Sequence, residues 1–226
     1  MMFRLTTVTA ALALSGSLAF AQAPLQLQPK PATAAAAIGK SAAPPQIPTI
    51  DAGTAVQKAN GWFNANGIMS ADFTQIGPDG RKTEGRLSVQ RPGRLRFEYA
   101  APATIEIIAD GTSVAVRDRK LATQDVYFIG QTPLKFLLKE QIDIARDTKI
   151  LNVMNEPSGV SILIEDKATL GGTSRIKLTF DPQSFALKQW NVIDPQGYQT
   201  AVSIFNLDLK RKPDPDLFKI NYERFN

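Results

Sequence analysis

From Ala71 to Leu209, apolar and polar side chains alternate with a period of two, interrupted every few residues by a tight turn. Such a chain has to place one row of side chains on a covered face and the other in water, which is the pattern of antiparallel strands. Gly85, Leu87 and Val89 oppose Arg86, Ser88 and Gln90, and Leu95, Phe97 and Tyr99 oppose Arg94, Arg96 and Glu98. Ile105 and Ile107 lead to Ala109, with Val114 and Val116 after Asp110-Gly111. Val160, Ile162 and Ile164, then Ile176, Leu178 and Phe180, repeat the pattern. A last run through Val202, Ile204, Phe205, Leu207 and Leu209 is apolar in both phases. Pro78-Asp79-Gly80, Pro92-Gly93, Gly171-Gly172, Asp181-Pro182 and Asp194-Pro195-Gln196-Gly197 supply turn chemistry between the runs.

Two helical pieces flank and interrupt this meander. After Asp51-Ala52-Gly53, the residues Val56, Ala59 and Phe63 recur at helical spacing up to Asn66-Gly67. Thr132-Pro133 reads as a cap with proline at the first helical position, followed by Leu134, Phe136, Leu137 and Leu138. A sheet this long curls into a barrel or half-barrel, and amphipathic helices have to bury their apolar sides against it. The predicted architecture is mostly β with an α lid: an unclosed antiparallel half-barrel with amphipathic helices over its concave face.

The first 50 residues are of another kind. Met1 to Arg4 carries one positive charge, Leu5 to Phe20 is apolar and small, and Ala19-Phe20-Ala21 is an A-x-A cleavage site, so residues 1–21 are expected to be a signal peptide and the protein to be exported. Residues 22–50 hold eight alanines and six prolines, a linker or tail that cannot bury a core. The folded domain is expected over 51–226. No other run is long and apolar enough to span a membrane.

The chain has no cysteine and no histidine. It therefore folds without disulfides, carries no lipid on an N-terminal cysteine, and offers no His or Cys zinc ligands, Ser-His-Asp triad or Cys-His dyad. The carboxylates Glu98, Glu106, Asp110 and Asp118 are the remaining candidates for acid–base work, but Asp110 has turn duty and Glu98 and Glu106 fall in the polar phase. No catalytic residue, metal site or cofactor is expected. The formal charge of +5 exaggerates how basic the domain is, because Arg4, Lys30 and Lys40 precede it while all 21 acids lie within it. Arg94 and Arg96 oppose the aromatics instead of sharing their face, so nucleic acid is not expected as a partner. Arg91 differs from them in sharing the phase of Gly85, Leu87 and Val89. It is either a strand-end arginine that snorkels to the rim or a donor to whatever closes over the apolar face.

Four stretches occur in a telling order: "ADFTQ" (71–75), "GRLSVQRPGRLRFEYAAP" (85–102), "IIADGTSVAVRDRKL" (107–121) and "QTPLKFLL" (131–138). From about Asp51 to Asn226 the chain resembles the periplasmic outer-membrane lipoprotein carrier family, LolA. Val89-Gln90 stands where that family often has an aromatic before its Arg-Pro pair. The resemblance implies a monomeric periplasmic chaperone that takes triacylated lipoproteins from an inner-membrane lipoprotein-releasing ABC transporter to the outer membrane and, where one exists, to an outer-membrane lipoprotein receptor. It also implies that Arg91 contacts the lid helices. Leu87, Val89, Leu95, Phe97, Ile105, Ile107, Val114, Val116, Leu134, Phe136, Leu137 and Leu138 are then candidates for cavity and lid. An envelope lipid-binding or lipid-sensing domain without transport would share every one of these features.

Overall fold

A computed structural model describes residues 49–222. The expected signal peptide and most of the Ala/Pro-rich segment lie outside the described residues, as do residues 223–226. The alternating runs form one antiparallel sheet of eleven strands: β1 Ile68–Ile76, β2 Lys82–Gln90, β3 Arg94–Tyr99, β4 Ile105–Asp110, β5 Ser113–Asp118, β6 Thr123–Phe128, β7 Lys149–Glu156, β8 Gly159–Thr169, β9 Gly172–Phe180, β10 Leu187–Ile193 and β11 Gln199–Asp208. Two meanders, β1 to β6 and β7 to β11, join through the pairing of β1 with β11. β6 and β7 are therefore the two edges, and the sheet is not closed into a barrel.

One face carries the core. Ladder partners place Met69, Val89, Leu95, Ala109 and Val114 in one row and Phe97 and Ile107 in the next. On the other wing, Ile162, Leu178 and Trp190 form a row, as do Ile164, Ile176 and Val192. Gly85 lies between Phe73 and Tyr99 in register. A Cβ there would stand 2.1 Å from the carbonyl oxygen of Glu98, and its absence lets the Phe73 and Tyr99 rings meet edge to face at 5.1 Å.

Helix α1, Ala52–Ala65, starts where Asp51 accepts from the Thr54 amide at 2.9 Å. It buries Ala55, Val56, Ala59 and Phe63 on the same core. The link from β6 to β7 has to run from one edge of the sheet to the other. It contains a 3-10 turn (Ile129–Gln131) and two single-turn helices, α2 Lys135–Leu138 and α3 Ile144–Asp147. The expected helix start at Thr132-Pro133 is corrected. The Thr132 hydroxyl donates back to the Ile129 carbonyl at 2.9 Å, closing the 3-10 turn instead of capping forward, and α2 begins at Lys135 without a side-chain cap. What reads as a seven-residue amphipathic helix is one turn with Phe136, Leu137 and Leu138 buried.

The doubly apolar run in β11 is a phase change. Asn206 adopts φ 53°, and two residues of β11, Asn206 and Leu207, oppose one of β1, Ala71, between the pairs Ser70/Asp208 and Asp72/Phe205. Val202 and Ile204 point to the core before this bulge. Leu207 and Leu209 do so after it, leaving Phe205 exposed.

The outer face is not simply solvated. After β11 the chain crosses back over β3 and β4, forming a 3-10 turn at Pro215–Phe218 that buries Phe218. Beneath this strap lies Glu106, its side chain 6% exposed, held by Arg96 at 2.9 Å and Arg117 at 3.0 Å. Arg96 also donates to the Leu217 carbonyl at 3.2 Å. The expectation of a solvated strand face is thus corrected for Arg96: its partner is Glu106 across the ladder, and the strap removes both from water. Removing one member of a buried ion cluster leaves uncompensated charge. Glu106→Gln is expected to cost about 3 kcal/mol in denaturant unfolding, whereas Glu98→Gln, exposed on the same face, should change stability by no more than about 0.5 kcal/mol. Equal effects at both positions would reduce the cluster to an ordinary surface pairing.

Candidate functional site

A cleft of about 430 Å³ opens on the helix-bearing face, within the range of roughly 300–1,000 Å³ typical of ligand pockets. Its floor comes from both wings: Phe97, Ile107, Val114 and Val116 from one, Trp190, Val192 and Val202 from the other. Tyr127 of β6 and Thr169 of β8 face it together although their strands are nine places apart in the sheet order. In a flat sheet that is roughly 40 Å, so the sheet is wrapped around the cleft. Polar groups gather at the rim in Gln75, Gln131, Thr132 and the Asp194–Tyr198 turn, beside the exposed apolar tips Leu170 (58%) and Tyr198 (61%).

Of the residues singled out in the sequence, Phe97, Ile107, Val114, Val116 and Leu134 meet at this cleft. Leu87, Val89, Leu95, Leu137 and Leu138 lie in the sealed core, and Phe136 packs in it beside Trp190. Ile105 has the right phase but stands at the start of β4, 42% exposed and away from the cleft. Sequence reasoning missed Tyr99, Tyr127, Leu170, Trp190 and Val192. In β10 the alternation is broken by a bulge between Leu187 and Gln189, so that Leu187 and Trp190, three residues apart, both face the core.

The helices are held over the cleft mostly through main-chain groups. Arg91 sits at the end of β2, where one guanidinium nitrogen donates to the carbonyls of Phe63 and Asn66 (the latter at 2.9 Å) and the other to the Lys139 carbonyl at 3.3 Å. α1 has no basic residue in its own last turn, so Arg91 supplies the cation that its C-terminal carbonyls favour. Burial pushes this guanidinium somewhat below its ordinary pKa. The Gly93 amide donates to the Leu138 carbonyl at 2.8 Å, fixing the end of α2 to the same turn. From α1, Asn64 both donates to and accepts from the Ile142 backbone at 2.9 Å, and Asn60 accepts from the Ile144 amide at 3.1 Å. Lys135 pairs with the buried Asp166 of β8 at 2.8 Å. Arg91 thus contacts both helical pieces.

A family model described as outer membrane lipoprotein carrier protein LolA matches residues 65–221. The chain belongs to that family. An outer-membrane lipoprotein carrier protein of Methylobacillus flagellatus is 26% identical over 161 residues, covering 67% of this chain and 77% of the relative. One from Pseudomonas aeruginosa is 26% identical over 177 residues, covering 74% and 84%. A solved LolA superfamily protein of Nitrosomonas europaea superposes with a TM-score of 0.43 at 10% identity, covering 77% of this chain and all of that one.

The acids of this LolA-family chain do not converge on its cleft. Glu106 lies under the outer strap, Asp110 accepts from the Thr112 and Ser113 amides and from the Tyr222 hydroxyl, and Asp118 accepts from Thr104 and its own turn. Asp194, at the rim, is occupied by the Gln196 and Tyr198 amides of its turn. Among the described residues no group of acids is arranged to hold a metal ion, and no helix is long and apolar enough to cross a membrane.

The most perturbed titratable group in the cleft is Tyr99, whose hydroxyl donates to Gln75 at 2.8 Å. Burial pushes its pKa from 10.0 up to about 12. Its ionisation is harder in the folded chain than in the unfolded one. The stability it contributes is therefore complete below pH 10 and is lost as pH rises toward 12. Tyrosinate absorbance should show a late step approaching pH 12. Tyr99→Phe should remove that late step, and a wild-type titration finished by pH 11 would place Tyr99 in contact with water.

Proposed function

We propose that the protein is a periplasmic lipoprotein carrier. It holds the acyl chains of a triacylated lipoprotein in the wrapped apolar cleft and moves them from the inner to the outer membrane. An exposed acyl chain costs about 0.8 kcal/mol per CH₂, so an anchored lipoprotein does not cross an aqueous space uncovered. The observation that carries the reading is the cleft itself: an apolar floor drawn from both wings of the sheet, bordered by Gln131 to Leu134 of the crossing segment, with no converging acids among the described residues. Membership of a family described by lipoprotein carriage supports it.

Release follows from the cover. The carrier gives up its cargo when the closed state outweighs the open one, so the latch sets the direction of transfer. Arg91 closes that latch with charge-assisted hydrogen bonds to carbonyls, each worth about 1.5–3 kcal/mol. In this reading the leader over residues 1–21 exports the chain, an inner-membrane ABC transporter loads it, and a membrane-bound receptor or the outer leaflet itself accepts the cargo.

Mass spectrometry of the protein purified from the periplasm tests the reading. Bound triacylated lipoproteins of many sequences are expected, whereas a single recurring partner would make it a lipid sensor. Arg91→Leu should fold normally yet be recovered cargo-bound. Its transfer of lipoprotein to acceptor vesicles should slow by about tenfold or more, since even one of the three hydrogen bonds it loses is worth that factor in the closed state. Transfer at the wild-type rate would remove Arg91 from the release step.

A further inference from the structure

The core holds a second, much smaller space, walled mainly by apolar side chains and edged by two ion pairs, whose lining shares no residue with that of the cleft. It lies beneath α2 and α3, with Phe63, Ile142, Ile164, Ile176 and Leu178 among its walls and room of only about 20 Å³, scarcely more than the roughly 10–15 Å³ one water requires. Its position relative to the cleft follows from the ladder. Ile176 and Leu178 of β9 face this space, while their direct partners on β10, Val192 and Trp190, face the cleft. Paired strands are about 4.8 Å apart, so the partition is a single side chain thick. That side chain is Phe136, whose ring meets Trp190 edge to face at 6.1 Å and lines the closed space. Leu134, two residues earlier, lines the cleft.

We propose that Phe136 is a gate whose displacement joins this closed compartment to the cleft and admits a further acyl chain, so that the number of chains on the ligand decides whether α2 moves. This rests on the carrier reading. The open cleft has the volume of an ordinary small-ligand pocket, and a three-chain anchor exceeds it. The space has to grow somewhere, and three observations place the growth here. The floor behind Phe136 is apolar in Ile164, Ile176 and Leu178, with the charges of its walls paired as Lys135–Asp166 and Lys139–Asp147. α2 is a single turn. It is held at its ends rather than along its length: by Lys135 to Asp166 at one end, and by Gly93 to the Leu138 carbonyl and Arg91 to the Lys139 carbonyl at the other. A further ion pair, Lys139 with Asp147 at 2.9 Å, closes the outer wall. It ties α2 to α3, so the two turns swing together when Phe136 leaves its seat.

The probes are synthetic lipopeptides of one peptide sequence bearing one, two or three palmitoyl chains. Binding is read from Trp190 emission in a Trp62→Phe background, because Trp190 is 1% exposed and borders the partition. Phe136→Ala should tighten the three-chain ligand by about fivefold or more, the lower range of site couplings, and leave the one-chain ligand within about twofold. Phe136→Trp, titrated by calorimetry because it adds a second tryptophan beside Trp190, should weaken the three-chain ligand selectively. If one-chain and three-chain affinities shift by the same factor, Phe136 is only a packing residue and the gate is overturned. If the parent protein binds none of the three ligands, the carrier reading itself fails. Should Phe136→Ala lack a cooperative unfolding transition, Phe136→Leu, which keeps most of the packing, is judged by the same ratio.

Discussion

The return of the chain from β6 to β7 is the constraint on which the rest depends. These strands are the two edges of the sheet, and a connection between them has to traverse the wrapped face. The crossing segment cannot be a polar loop, because its backbone runs over an apolar floor and its unpaired groups would be buried. Hence it is built from single turns with Phe136, Leu137, Ile142 and Ile144 inward. Its leftover carbonyls and amides are met by Arg91, Gly93, Asn60 and Asn64. The cover over the cleft is a consequence of connectivity, and the open sheet and the lid are one solution to one problem.

Much of this was legible in the alternation. The inner rows of β2, β3, β5, β8 and β9 follow directly from side-chain phase, and α1 from its helical spacing and Asp51 cap. What was not legible has physical causes. β6 and β7 are edges with one ladder each and partial cover, so their side chains alternate weakly and neither stood out. In β11 the two-phase apolar run hid a bulge, since an inserted residue reverses phase without changing composition. At Thr132-Pro133 the cap residues were present, but the hydroxyl had a nearer acceptor behind it. Periodicity reports that Arg96 occupies the outer face and says nothing of a strap arriving from more than a hundred residues away.

The cleft itself was only partly readable for a related reason. A period-two pattern identifies the covered face but not how thickly each part is covered. Leu87, Val89 and Leu95 share a face with Phe97 and Ile107, yet only the second group lines the cleft. The family resemblance supplied the idea of a cavity. The floor on the β10 wing, with Trp190 at its centre, became visible only once both wings were seen to converge.

Apart from the Lys135–Asp166 and Lys139–Asp147 pairs, the contacts that hold the cover are indifferent to what the cover is made of. Arg91, Gly93, Asn60 and Asn64 each grip carbonyl or amide groups that any residue would present at those places. Side chains on the inward side of the crossing segment can therefore be exchanged, and the cargo space reshaped, while the closing force stays constant. The shape of the cleft can thus change one position at a time with no compensating change in these main-chain fastenings.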